Sequence, residues 1–226
     1  MPFIVLEGLD GAGKSTQVKL LQQRLAEAGK SYEYLHFPRF DAPVYGDLVA
    51  RFLRGELGSV ESVNPYLVAL IYAGDRAEAA DLIRGWLQDG KVVIVDRYVY
   101  SNVAYQCAKV DDEAERNRLR DWIVDLEYAH HAIPRPDVSL FLDVPFSFTR
   151  RKLEENREGE DRQYLQGKTD IHEASLSLQE RVRQVYLAQE ALDPTFGVIS
   201  CADAQGGMLP PDAIFARIME RLSAWL

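Results

Sequence analysis

Between Phe3 and Thr16 the chain reads FIVLEGLDGAGKST: an apolar run that stops at Glu7, three glycines, then a lysine and two hydroxyls. Gly8, Gly11 and Gly13 carry no Cβ, so several backbone N–H groups of this loop can turn toward one centre. Lys14 adds a full positive charge, and the Ser15 hydroxyl can ligate a Mg²⁺ that bridges two phosphates. Gly8-x-x-x-x-Gly13-Lys14-Ser15 fits the phosphate-binding loop pattern, with Ala12 inside it and Thr16 just after. Val18, Leu21, Leu25 and Ala28 follow at helical spacing and the pattern ends at Gly29. A helix starting near Ser15 aims the positive end of its dipole at the same centre. The chemistry these residues suit is the capture of a nucleotide polyphosphate.

The elements that must position this loop can be read from the apolar runs. Strand-like segments are FIVLE (3–7), YEYLHF (32–37), KVVIV (91–95), VSLFLDV (138–144) and FGVISC (196–201). Helical patterns alternate with them, which predicts an α/β fold: a doubly wound, five-stranded parallel sheet flanked by helices. In such sheets ligands gather outside the carboxyl ends of the strands. Three strands end there in polar clusters: the glycine loop, Phe37-Pro38-Arg39, and Asp96-Arg97-Tyr98. Asp96, after four apolar residues, resembles the carboxylate that holds Mg²⁺ through water in phosphate-loop enzymes.

Further candidates lie on helices. Asn64 is a good N-cap, Pro65 suits the first helical position and Gly90 the exit, so a long helix is expected between them. Val68, Tyr72 and Arg76 share one of its faces, an arrangement that can stack on a flat base and bond its edge. Asp75 is placed to orient Arg76. Ser101 and Tyr105 share a face of the next helix, with Asn102 beside them. An Asn can donate and accept at once on a pyrimidine edge. The segment 150–170 mixes charges of both signs with two glycines and sits between two helical patterns, as a lid carrying arginines over phosphates would.

Composition bounds the rest. A chain of 226 residues with 47% hydrophobic content suits one large globular domain over 1–226. No apolar run approaches a membrane span and no secretory signal is read, which makes a membrane partner unexpected and a cytoplasmic location expected. Net charge −9 argues against a nucleic-acid surface. Cys107 and Cys201 match no metal spacing and read as reduced thiols, and His36, His130, His131 and His172 form no ligand set. Asp203-Ala-Gln-Gly206 matches a GTPase fragment by chance, because no N-K-x-D accompanies it.

Taken in order, EGLDGAGKST, HFPRF, YAGDRAE and VDRYVYSNVAYQCA resemble the thymidylate kinases, and RPDVSLFLDV fits the strand before their lid. The resemblance runs from Phe3 to about Tyr186. It implies a phosphate-loop kinase fold and transfer of the ATP γ-phosphoryl group to dTMP, giving dTDP, in a Mg²⁺-dependent homodimer. By position it implies that Arg97 and Arg39 hold the acceptor phosphate, with Phe37 and Ser101 also in the dTMP site. Tyr72 lies against thymine, Arg76 bonds O4 and Asn102 the N3 edge. Tyr105 sits under the deoxyribose and excludes a 2′-hydroxyl. Asp10 faces the 3′-hydroxyl and the metal region, and Glu173 resembles a carboxylate near metal and sugar. His172 departs from the family, where a Tyr often precedes that Glu. A deoxynucleoside kinase or another nucleoside monophosphate kinase is the alternative enzyme, and a regulatory ATP-binding module the alternative class.

A second departure yields a prediction. Some family members carry an arginine in the phosphate loop where this chain has Gly11, so the catalytic cation must come from the lid. Arg157 and Arg162 are the candidates, with Arg151 third. Removing a cation that acts only in the transition state lowers kcat and spares ground-state binding. Arg157→Ala or Arg162→Ala should therefore lower single-turnover rates by about 10³-fold with nucleotide affinities little changed. Near-parental turnover in the double variant would locate the cation elsewhere.

Overall fold

A computed structural model describes residues 1–154, 160–173 and 175–226. Among these residues, five parallel strands form one sheet in the order β2-β3-β1-β4-β5. They are β1 (Phe3–Gly8), β2 (Tyr32–His36), β3 (Val92–Asp96), β4 (Val138–Asp143) and β5 (Phe196–Ser200). Each lies within a residue of its expected bounds, because near-continuous apolar runs are required of strands covered on both faces. Along β1, Phe3 and Val5 face one core with Val93, Val95 and Phe141. Ile4 and Leu6 face the other with Ile94, Leu140 and Leu142. Period-two alternation thus assigns successive residues to opposite cores.

The helices cover both faces. α1 (Lys14–Glu27) and α8 (Pro211–Leu222) bury Leu21, Leu25, Ile214 and Ile218 against the second core. α3 (Pro65–Gln88), α4 (Val99–Cys107), α5 (Glu113–Asp125) and α7 (Leu176–Gln189) contribute to the first. α2 (Tyr45–Leu53) packs on α3 through Val49, Phe52 and Val68, and α6 (Phe146–Glu154) follows β4. The expected caps of α3 are present: the Asn64 side chain accepts from Tyr66 N at 2.9 Å, Pro65 opens the helix and Gly90 follows its end at φ 74°. After α5 the chain widens to a π-turn over Leu126–His130. Such turns re-aim a side chain that an α-helix would direct elsewhere. A short 3₁₀ helix spans Glu160–Leu165. Among the described residues, no helix is long and apolar enough to cross a membrane.

Register brings the site together. Asp96, the last residue of β3, pairs with Leu6 on one side and with His36 on the other. The carboxyl ends of β1, β2 and β3 therefore open on one edge, each carrying its polar cluster.

The α2–α3 contact is unusually close. Tyr45 lays its ring on Gly74, and a Cβ built on Gly74 falls inside van der Waals contact of that ring. Gly74 precedes Asp75 and Arg76, so this seat fixes where they stand. Gly74→Ala should destabilise the fold by about 1–3 kcal/mol in denaturant unfolding, overpacking outweighing the helix-propensity gain. On a Tyr45→Ala background the same change should stabilise, by up to about 1 kcal/mol. A stabilising Gly74→Ala in the parent would disprove the seat.

Candidate active site

The glycine loop adopts the expected shape: Gly11 (φ 76°) and Gly13 (φ 84°) take left-handed angles, and α1 starts at Lys14. Gly8 serves differently. It has no positive φ, but a Cβ there would stand 3.2 Å from that of Ala12 and 3.3 Å from Lys14 Cγ. The buried Lys14 ammonium lies 3.3 Å from the carbonyls of Gly8 and Leu9 and 3.9 Å from Asp96 Oδ1. These long contacts leave donors for phosphate oxygens. Asp96 Oδ1 is buried without a hydrogen-bond partner, while Oδ2 is 3.5 Å from His36 Nδ1. Burial pushes the Asp96 pKa up, but Lys14, His36 and Arg97 outweigh it and hold it below its ordinary value. An ionised oxygen with no partner beside Lys14 fits a hydrated Mg²⁺. Ser15 stands in the same wall.

Arg97 faces this loop from β3. It holds φ at 66°, its Nη2 donates to Asp10 Oδ1 at 2.6 Å, and its Nη1 lies 3.3 Å from Ser101 Oγ. Asp10 Oδ2 also accepts from Tyr105 Oη at 2.7 Å and Gln179 Nε2 at 3.2 Å. Tyr105 therefore does more than its expected steric part, since it ties Asp10 to α4. Its ring stacks on His172 at 5.0 Å and lies under the Arg97 guanidinium at 5.4 Å.

The far end of the cleft is built around a residue that no motif announces. Glu127, fully buried in the π-turn, accepts from Arg76 Nε at 2.5 Å and Nη2 at 2.7 Å. It also accepts from Asn102 Nδ2 at 2.9 Å, and the same Nδ2 donates to Ala69 O at 3.0 Å. Both neighbours of Nδ2 are acceptors, which settles the orientation of the amide. Asn102 Oδ1 is left buried and unpartnered. Among the described residues, Arg76 Nη1 likewise makes no hydrogen bond. The wall thus offers the Nη1 donor group and the Oδ1 acceptor on two side chains that meet at Glu127 Oε1, with Tyr72 and Phe37 in the same wall.

Asp75 does not orient Arg76, contrary to the sequence reading. Its carboxylate accepts from Arg39 N at 2.9 Å and Arg39 Nε at 2.8 Å, and its carbonyl from Arg39 Nη2 at 2.9 Å. Adjacent helical residues point about 100° apart, so Asp75 and Arg76 look in different directions. Arg39 is held away from the cleft wall, which its neighbours Phe37, Pro38 and Phe40 line.

The remaining wall comes from 164–173. Tyr164 stacks on Phe40 with ring centroids 3.7 Å apart and donates to Asp170 Oδ2 at 2.7 Å. Asp170 Oδ1 accepts from His172 N at 2.8 Å and Glu173 N at 3.3 Å, presenting both to the cleft. Arg157 lies outside the described residues, and nothing is described of the Arg162 side chain. The cleft of about 450 Å³ is of ligand size. It gathers Asp10, Gly11, Ala12, Gly13, Lys14, Ser15, Phe37, Tyr72, Arg76, Asp96, Arg97, Ser101, Asn102, Tyr105 and Glu173. Gly8 and Thr16 are outside the lining: the Gly8 carbonyl accepts from Lys14, and Thr16 lies in the first turn of α1. Glu7, Glu127, Tyr164 and Asp170 were missed; only Glu7, a lone charge inside a six-residue buried strand, carried a signal.

Burial and the Asp10 charge push the Asp170 carboxyl up to about 7, from 3.8. A raised carboxyl pKa contributes stability that is full below the unfolded value and lost as pH rises through the folded one. The parent should therefore lose stability between pH ~4 and ~7 relative to Asp170→Asn, by chemical denaturation. Parallel stability profiles would refute it.

Comparison with known proteins agrees with this geometry. The thymidylate kinase family model matches residues 6–203. A thymidylate kinase of Mycobacterium tuberculosis is 35% identical over 217 residues, covering 93% of this chain and 98% of that protein. A probable thymidylate kinase of Thermococcus kodakarensis is 33% identical over 206 residues, covering 89% and 90%. In fold, the chain resembles a thymidylate kinase from Candida albicans at TM-score 0.74 and 24% identity, covering 99% of this chain and 91% of that one. The cleft that joins a phosphate loop to a donor–acceptor pair beside an aromatic wall is thus carried by a chain that belongs to the thymidylate kinase family.

Proposed function

We propose that this protein transfers the γ-phosphoryl group of ATP to dTMP, giving dTDP and ADP. The observation that carries the reading is the edge formed by Arg76 Nη1 and Asn102 Oδ1. Thymine offers O4, an acceptor, beside N3–H, a donor, and matches that edge. Cytosine offers an amine donor beside a bare N3 acceptor and mismatches both. Glu127 enforces the choice, since it takes Arg76 Nε and Nη2 and, together with the Ala69 carbonyl, the amide donors of Asn102.

The acceptor phosphate falls to Arg97, at the base of the cleft between the edge and the phosphate loop, with Ser101 beside it. Arg39, on the neighbouring loop, is a second candidate if it exchanges Asp75 for phosphate. The loop N–H groups of Gly11 to Ser15 and Lys14 hold the donor triphosphate. Ser15 directly and Asp96 through water would hold Mg²⁺, which supplies charge neutralisation across the donor phosphates when bound. Asp10, tied to both Arg97 and Tyr105, links the two halves and stands where the sugar 3′-hydroxyl is expected. Phosphoryl transfer asks the protein chiefly to align two anions, neutralise them and exclude water. Arg157 or Arg162 remains the proposed source of the last cation.

We also propose a homodimer. Leu67 and Leu70, exposed on one face of α3, are large apolar side chains that a second copy would cover, and sedimentation would test this. A single domain over 1–226 and a cytoplasmic location, where ATP and Mg²⁺ are supplied, complete the reading.

The test is an assay with ATP and Mg²⁺ against dTMP, dCMP and thymidine. Even one unmatched buried polar pair costs about 1–3 kcal/mol, so dTMP should exceed dCMP in kcat/KM by at least roughly ten- to a hundredfold. Equal values would sink the base edge. Phosphorylation of thymidine but not dTMP would favour a deoxynucleoside kinase, and turnover of neither a regulatory module.

A further inference from the structure

Glu7 lies outside the cleft wall, fully buried at the end of β1, and nothing above gives it a task. Its contacts define one. Oε1 accepts from Tyr98 N at 2.9 Å and Ser101 N at 3.2 Å. Oε2 accepts from Ser101 Oγ at 2.6 Å and Tyr186 Oη at 3.0 Å.

Tyr98 is the N-cap of α4, and its own side chain supplies no cap. The first N–H groups of a helix have no partner within it, and a carboxylate there is further favoured by the dipole. Glu7 therefore caps α4 from another strand. Ser101 Oγ gives its one proton to Glu7 Oε2, so its lone pairs are left to accept from Arg97 Nη1, at 3.3 Å, and the one Tyr186 proton is shared between Glu7 Oε2, at 3.0 Å, and Ser101 Oγ, at 2.7 Å. Arg97 sits one residue before the cap, at a left-handed φ that a non-glycine residue holds only under outside constraint.

All four hydrogen atoms around Glu7 come from its neighbours, so the inventory is complete with an ionised carboxylate. A proton added to Glu7 would have to displace the Ser101 or Tyr186 proton. Burial pushes its pKa up and these donors offset the rise in part.

We propose that Glu7 is a positioning residue for the acceptor phosphate: by capping α4 and orienting Ser101 it sets Arg97 against the phosphate loop. Because Glu7 stands one residue before the end of the strand that feeds the glycine loop, the donor-phosphate and acceptor-phosphate sites are fixed to each other through one side chain.

The proposal rests on the dTMP reading above, and its test separates the two. Equilibrium binding of dTMP and of thymidine, which shares base and sugar but has no phosphate, is measured on the parent, Glu7→Gln and Tyr186→Phe. Gln keeps the volume of Glu but puts N–H groups where Ser101 and Tyr186 donate. Glu7→Gln should weaken dTMP by roughly tenfold or more, with thymidine within about twofold of the parent. Tyr186→Phe removes one donor, keeps the ring stacked on Phe141 at 4.5 Å, and should shift dTMP the same way by less. It also serves if Glu7→Gln does not fold. Equal losses for dTMP and thymidine would mean a merely structural role and overturn the proposal, as would parental affinities in Tyr186→Phe when Glu7→Gln is unfolded or unchanged. A parent that binds no dTMP would overturn the functional reading, and this one with it.

Discussion

The buried ion pair between Arg76 and Glu127 is the constraint on which the rest of the acceptor side depends. Two charges removed from water gain little net stability from each other, and removing either partner strands the other. Such a pair is poor material for holding a fold together and good material for fixing direction. Glu127 draws Arg76 of α3 and Asn102 of α4 toward the same point, so two helices that pack through apolar faces also agree on where two polar atoms stand. The π-turn after α5 supplies the geometry. Because Glu127 takes three donors, what is left facing the cleft is the Arg76 Nη1 group and the Asn102 oxygen, the pair proposed to read the base.

Carboxylates recur in this role in and around the cleft. Asp75 takes Arg39, Asp10 takes Arg97 and Tyr105, Glu7 takes the start of α4, and Asp170 takes the backbone of 172 and 173. A protein of net charge −9 that binds polyanions must separate its surface charge from its site charge. It does so by spending buried acids on aiming cations and amides rather than on solvent, and by aligning helix and loop N–H groups at the phosphates.

Family membership and geometry bear on different parts of the account. The relatives place the chain among the thymidylate kinases, while the Arg76–Asn102 edge is the atomic basis of the proposal for which pyrimidine fits. His172 shows where the chain goes its own way. Its ring lies between Tyr105 and Phe52, buried, so this position packs the aromatic wall even though the side chain differs from the family's usual Tyr.

The sequence by itself determined the sheet, its parallel sense and the phosphate loop. Those depend on local rules: apolar runs of strand length, glycines where φ must be positive, a cap and a proline at the head of α3. It also placed Arg97, Tyr72, Arg76 and Asn102 at the cleft, because strand ends and helix faces follow from period alone. What it could not show was partnership. Asp75 stands next to Arg76 in the chain yet holds Arg39, and Glu127 stands 51 residues from Arg76 yet holds it. Hydrogen bonds are decided by distance in space over about 3 Å, and only the packed helices set that distance. Glu7, Glu127 and Asp170 belong to no spacing pattern, since each acts on whatever the fold brings beside it.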